Sequence, residues 1–255
     1  MTRPLFFGPG EAVRAAAPGA VFVLGGDEGR HAATVRRLTA GERIDVSDGS
    51  GYRIGGLVSA VGAGTVELTV ESAGQDPAPR HRLVLVQALA KGGRDEQAVE
   101  SATELGVDAV VPWHAERSIV RWRGDKEEKG RQKWTSLVAA ASKQSRRSFV
   151  PTVHGVVDTP RLVAWASTVD RVVVLHEDAE VSLADKVSAL RASGALDVPS
   201  STAVVVGPEG GISDTELARL RTVGASTARL GPHVLRSSSA GPAALVLLNH
   251  LLGRW

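Results

Sequence analysis

Glu209 stands among residues that offer almost no side chain. The stretch GPEGGIS, residues 207–213, closes the apolar run STAVVV (201–206) and opens DTELARL (214–220). Glycines there remove Cβ atoms, so backbone N–H and C=O groups can approach a flat ligand closely. Ser213 and Glu216 match the S-x-x-E capping box, which fixes where the next helix begins. A short, rigid loop poor in side chains suits recognition of a purine ring by main-chain hydrogen bonds; it also suits a plain strand-to-helix turn. Two other segments of the last third leave a strand in the same manner, LHE (175–177) and LGPHVLR (230–236). Ligands of open α/β sheets bind at the carboxyl ends of strands, so the three segments nominate one region. Arg236 falls between an apolar loop and a helix N-terminus, where the field is already positive. An arginine there implies a nearby anion, either a ligand or a local Asp or Glu. The loop is not a Walker loop, because G-x-x-x-x-G-K-[ST] is absent. It is not a dinucleotide fingerprint either, since G-x-G-x-x-G does not follow the first strand of its domain.

Strands and helices must carry these loops. Beyond residue 80 the pattern alternates. RLVLVQAL (82–89), DAVVPW (108–113), RVVVLHE (171–177), STAVVV (201–206) and STARL (226–230) read as strands. RDEQAVESATEL (94–105) reads as a helix with Ala98, Val99, Ala102 and Leu105 on one stripe. KGRQKWTSLVAAASKQSRR (129–147) reads as another, with Trp134, Leu137, Val138 and Ala141 at i, i+3, i+4, i+7. Shorter helices are expected at 159–168, 181–193 and 214–224, and a final one at 241–252 with Pro242 in its first turn. Alternation of this kind predicts a mostly parallel sheet covered on both faces. Residues 1–73 are different: VFVL (21–24), RIDVSD (43–48), YRIGGLVSAV (52–61) and TVELTVES (65–72) are short β-branched strands, with DGSG (48–51) as a hairpin turn. One helix, 27–40, interrupts them, with Gly41 as its C-cap. A small barrel bearing one helix satisfies that pattern. GQDPAPR (74–80) reads as a linker, which leaves 81–255 as the second domain.

Composition bounds the chemistry. The 255 residues are 43% hydrophobic and contain no Cys, which excludes disulfides and thiolate metal sites and fits a cytoplasmic protein. No window approaches about 18 consecutive apolar residues, so no membrane span is expected. The start, MTRPLFFGPGEAVR, lacks the apolar run of a signal peptide. No histidines form an H-x-x-x-H pair, so no metal site is expected; His250, in the apolar last helix, reads as a packed or interface residue. Net charge is only +2, yet residues 76–150 carry fourteen Lys/Arg against ten Asp/Glu. The excess concentrates in RSIVRWRGDKEEKGRQKW (117–134) and KQSRR (143–147). Bases interleaved with Trp suit a polyanion; with Glu127 and Glu128 among them they also suit a solvated helix face.

GPEGGIS followed by LGPHVLR resembles the RsmE family, bacterial 16S rRNA (uracil-N3) methyltransferases of the SPOUT superfamily. The resemblance runs along nearly the whole chain. RHAATVRRLTAGERIDVSDGSG (30–51) is similar to the family's N-terminal PUA-like segment, and ALAKGGRDEQAVESATELGVDAVVPWHAERS (88–118) and KWTSLVAAASKQSRRSFVP (133–151) to blocks of its catalytic domain. The family commonly reads LRTETA where this chain has LRSSSA, so Ser238 replaces an acid. The resemblance implies an α/β fold with a SPOUT-type parallel sheet and trefoil knot, a PUA-like β-barrel, bound S-adenosylmethionine (SAM), a homodimer, and 16S rRNA or the small ribosomal subunit as partner.

It also assigns roles. Arg236 would stabilise charge on the uracil. Backbone of Gly207, Pro208, Glu209, Gly210 and Gly211, and of Leu230, Gly231, Val234 and Leu235, would hold the donor beside Leu175, Ile212 and Ser237. Glu209 would meet the donor or cap its own loop. His176 or Glu177 would assist the proton, with no general base identified. Lys91, Arg94, Lys143, Gln144, Arg146 and Arg147 would hold RNA phosphates, extended by Arg36 and Arg37. Two rivals stand beside this reading: a non-catalytic RNA-binding protein, and a SPOUT enzyme acting on a ribose 2′-hydroxyl or guanine N1.

Overall fold

The computed structural model describes residues 3–255. Met1 and Thr2, the first residues of the stretch read above for a leader, lie outside it. The chain divides into two compact units: residues 1–78 with 142–150, and residues 79–141 with 151–255. Of the stretch read as a linker, 74–80, Gly74 and Gln75 belong to a strand that ends at Gln75, and the next strand begins at His81.

The first unit contains β1 (Leu5–Phe7), α1 (Gly10–Ala15), β2 (Val21–Leu24), α2 (Gly26–Arg30), β3 (Arg43–Ser47), β4 (Tyr52–Val61) and β5 (Val66–Gln75). They build one five-stranded sheet in the order β1-β3-β4-β5-β2. Every pair is antiparallel except β1 with β3. Register shifts at Gly55/Gly56 and Val58/Ala60 mark irregularities where such a sheet bends. The β3–β4 hairpin closes on Asp48, whose Oδ1 accepts the N–H groups of Ser50 and Tyr52 at 2.7 and 3.1 Å. Phe6, Leu24, Ile44, Ile54 and Leu68 fill the core.

The helix expected over 27–40 is instead a short α-helix followed by a π-helical turn, His31–Val35. Arg36 N–H reaches back to His31 C=O, which lets Ala32 and Leu38 both enter the core. Five-residue hydrogen bonding leaves no signature in a 3.6-residue pattern. Gly41 therefore does not cap that helix; with φ +93° it turns the chain into β3 and donates to Val58 C=O.

The second unit contains β6 (His81–Ala88), α3 (Arg94–Glu104), β7 (Ala109–His114), α4 (Asp125–Gln144), β8 (Thr152–Val153), β9 (Val157–Asp158), α5 (Thr159–Ala166), β10 (Arg171–Leu175), α6 (Leu183–Ala192), β11 (Ser200–Val206), α7 (Asp214–Arg221), β12 (Ser226–Ala228) and α8 (Ser237–Leu251). The last three residues of α4 group with the first unit. The sheet order is β12-β10-β11-β6-β7-β8, with β9 also on β7, and every pair is parallel. Alternate residues of β6 serve opposite faces. Val84, Val86 and Ala88 join Leu162 of α5 and Leu217 and Leu220 of α7. Leu85 points the other way, against Gly241 of α8, where a Cβ would come within 2.8 Å of it. Helices therefore cover both faces, as the alternation predicted.

The final helix starts four residues earlier than its apolar pattern. Arg236 is its N-cap, Ser237 and Ser238 are buried in its first turn, and Pro242 sits inside it. Serine has modest helix propensity, so burial rather than composition places this end. His250 is exposed on this helix.

Candidate active site

Strands β10, β11 and β12 run parallel and adjacent, so Leu175, Val206 and Ala228 finish at one edge of the sheet. The three segments singled out by sequence leave from there. His176 N–H donates to Ala228 C=O at 3.0 Å, tying the first to the third. Arg229 N–H meets Val181 C=O, and Leu183 N–H meets Arg229 C=O, which fastens the start of the 229–236 loop.

A cavity of about 660 Å³ opens between these loops. Leu175, His176 and Glu177 line it from β10, Gly207 to Ile212 from β11, and Val234, Leu235, Arg236 and Ser237 from the start of α8. Leu230 and Gly231 line an adjoining recess that shares Leu175, His176, Glu177, Val234 and Leu235. All fifteen residues expected to act in catalysis or donor binding thus border one connected space. Arg94 joins them, and Asp178, Asp214 and Arg117, which sequence reading did not nominate, line it too.

The β11–α7 loop is built as its sequence suggests. A Cβ on Gly207 would lie 2.7 Å from Ile212 Cγ1, and one on Gly210 3.1 Å from Arg117 Cβ. Gly211 has φ +73°, a conformation that favours glycine. The capping box is present: Ser213 Oγ accepts Glu216 N–H, and Glu216 Oε2 accepts Ser213 N–H, both at 3.2 Å. Glu216 is buried, and its Oε1 also accepts Glu116 N–H and the Thr159 hydroxyl, each at 2.7 Å.

Two neighbouring loops hold the glycines from outside. Arg94 Nη1 meets Glu209 Oε1 at 2.7 Å, and Arg117 Nη1 donates to Gly210 C=O at 3.0 Å. Partial burial pushes the Glu209 carboxyl upward. Backbone N–H groups of Glu209 and Lys91, together with the Arg94 guanidinium, outweigh it and hold Glu209 below the usual carboxylate range. So Glu209 is occupied by its surroundings, and the side chain of Arg94 points to it.

Arg236 is exposed at the mouth, and no acid among the described residues pairs with it. That removes the local-partner explanation of its position. Ser237 Oγ is buried at the cavity wall and has no hydrogen-bond partner. His176 Nδ1 accepts Asp178 N–H at 3.3 Å, so its neutral ring carries the proton on Nε2.

Lys91 is exposed on the turn before α3. The remaining nominated bases belong to the first unit. Arg36, Arg37, Gln144 and Arg146 are exposed, and Arg147 is partly so. Arg37 and Arg146 hold φ of 52° and 60°, a strained setting for arginine. Lys143 is engaged: its Nζ lies 2.6 Å from Glu28 Oε1 and 3.3 Å from His31 Nδ1.

Comparison with known proteins agrees with this geometry. Residues 76–249 match the RNA methyltransferase domain and residues 24–71 the RNA methyltransferase PUA domain. Ribosomal RNA small subunit methyltransferase E of Mycobacterium tuberculosis is 42% identical over 241 residues, covering 93% of this chain and 89% of that protein. Its Bacillus subtilis namesake is 31% identical, with 90% of each covered. A Legionella pneumophila protein solved in complex with the bound cofactor SAM superposes at TM-score 0.82 and 26% identity over 98% of both chains. The Neisseria gonorrhoeae protein of the E type shares the fold, at TM-score 0.81 and 24% identity over 98% of both chains. With both of its domains matched, and with the glycine loop and the arginine-capped helix meeting at one sheet edge, the chain belongs to the RsmE family of ribosomal RNA small subunit methyltransferases.

Proposed function

We propose that this chain methylates N3 of a uridine in 16S rRNA of the small ribosomal subunit with SAM as donor. The observation that carries the reading is the cavity at the ends of β10, β11 and β12, walled by bare main chain and by an unpaired arginine. SAM fits this chain on two counts. Gly207 and Gly210 let the loop pack closely on Ile212 and Arg117 and leave its main chain bare at the cavity, and the buried Ser237 hydroxyl lacks a partner at its wall. Main-chain groups of 207–211 and 230–235 would hold the adenosine beside Leu175, Ile212 and Leu235. When bound, SAM supplies an electrophilic methyl group on a sulfonium, so the chain has to orient the base and balance charge.

Loss of the N3 proton to solvent water spreads negative charge over the flanking uracil oxygens. Arg236, unpaired and set on the positive end of α8, answers that charge. His176, with Nδ1 already accepting and Nε2 protonated, acts as a hydrogen-bond donor rather than as the proton acceptor. Lys91, Arg36, Arg37, Gln144, Arg146 and Arg147 bind RNA phosphates, and the target base leaves its stack to expose N3. Glu28 must release Lys143 before that side chain can join them.

A homodimer and a trefoil knot belong to the same reading, supported by family membership, as does a cytoplasmic location beside the ribosome. Among the described residues no helix is long and apolar enough to cross a membrane. Nucleoside mass spectrometry of 16S rRNA from a strain lacking the protein tests the assignment. A 3-methyluridine should vanish; its persistence, or loss of a 2′-O-methyl or N1-methylguanine signal instead, would replace the reading.

A further inference from the structure

Arg94 and Arg117 reach the glycine loop from two different connections, one after β6 and one after β7. The sequence pattern gives Arg94 to RNA and gives Arg117 only a place in the basic stretch 117–134. We infer that both are positioning residues, which set the shape of the 207–213 loop for the methyl donor; the inference rests on the SAM reading above.

The loop has few means of holding itself. Within it, Gly211 N–H returns to Pro208 C=O, and the capping box secures only its far end. Two of its side chains reach outward: Ser213, whose hydroxyl donates to the Glu116 carboxylate at the far end, and Glu209 in the glycine run. The Glu209 carboxylate takes the Arg94 guanidinium at 2.7 Å, so a single ion pair ties the loop to the start of α3. One residue on, Arg117 holds the Gly210 carbonyl at 3.0 Å. Two consecutive loop residues are thus fixed by two separate segments, and both fixing groups line the cavity. The Arg94–Glu209 pair is partly exposed, with side chains 39% and 25% accessible, so it orients more than it stabilises. Arg117 presents five N–H donors, spends one on Gly210 and itself lines the cavity.

A charge swap separates this role from RNA contact. Arg94→Glu places two carboxylates together; amide exchange at 207–211 in the SAM-free protein should then speed up, and the SAM dissociation constant should rise about tenfold. Glu209→Arg added to it should restore both to within about threefold of the parent. Arg117→Ala should weaken SAM binding about fivefold, with partial recovery in Arg117→Lys. Unchanged loop exchange in Arg94→Glu, or failure of the swap to restore it while 16S rRNA binding falls, would return Arg94 to the RNA and overturn the inference. Amide exchange needs no ligand, so it decides the matter even if the parent gives no heat with SAM; that latter result would instead sink the donor assignment.

Discussion

Glu216 receives the backbone N–H of Glu116, one hundred residues earlier in the chain, at 2.7 Å. The same buried carboxylate caps its own helix and takes the Thr159 hydroxyl, which itself accepts the Trp113 indole N–H at 3.3 Å. One acid therefore joins the segment after β7, the start of α5 and the start of α7. Glu216→Ala strands three donors in a buried place. Each such loss costs about 1–3 kcal/mol, so the variant should lose about 3 kcal/mol after relaxation. Urea unfolding checks it, and Glu216→Gln, which keeps an acceptor, should lose clearly less.

Arg236 caps α8 with its backbone alone: its C=O accepts from Ser239 and Ala240, and its side chain makes no capping bond. Truncation should leave the helix intact. Arg236→Ala is expected to lower kcat about 100-fold, the scale of removing one charge-stabilising donor, with little change in SAM affinity. Single-turnover methyl transfer and calorimetry separate the two effects.

Gly207 lies too close to Ile212 for any Cβ. Gly207→Ala should weaken SAM binding about tenfold, because either the loop or Ile212 must shift by several tenths of an ångström. The double variant Gly207→Ala with Ile212→Ala, which removes the crowding Cγ1, should recover part of that loss by calorimetry.

Three histidines give the fold a pH dependence. Desolvation holds His81, His114 and His154 below the ordinary imidazole value, aided by nearby arginines in each case. His114 Nε2 also accepts Trp122 N–H at 2.9 Å, which requires it unprotonated. In the unfolded chain all three take protons as pH falls through about 6.5, while the folded chain still resists them. Stability should therefore be full above that pH and fall below it. Urea midpoints at pH 7.5, 6.5 and 5.5 measure this, and His114→Gln should flatten the slope.

The residues that build the site were largely legible in the sequence, because their constraints are local. GPEGGIS announces a glycine turn and a capping box within ten positions, and both are present. The Trp134, Leu137, Val138 and Ala141 stripe needs only the helical period; Leu137 is partly buried and the other three are buried. What escaped depends on distant partners. β1 has three residues and exists by pairing with β3, some forty positions later. The π-helical turn and the serine-rich start of α8 are held by burial that no propensity encodes. Arg117 carried no motif; its role appears only where Gly210 C=O meets it. Arg94 looked like one more base in a basic third until Glu209 was found beside it.

Methyl transfer to uracil N3 at the cavity beside Arg236 is the proposed reaction. Purified protein incubated with methyl-labelled SAM and either 16S rRNA or small subunits, followed by nucleoside separation, tests it most directly. The label should appear in 3-methyluridine with the parent chain and fall about 100-fold with Arg236→Ala. Label in a 2′-O-methylated ribose or in guanine, or equal labelling by both proteins, would contradict it.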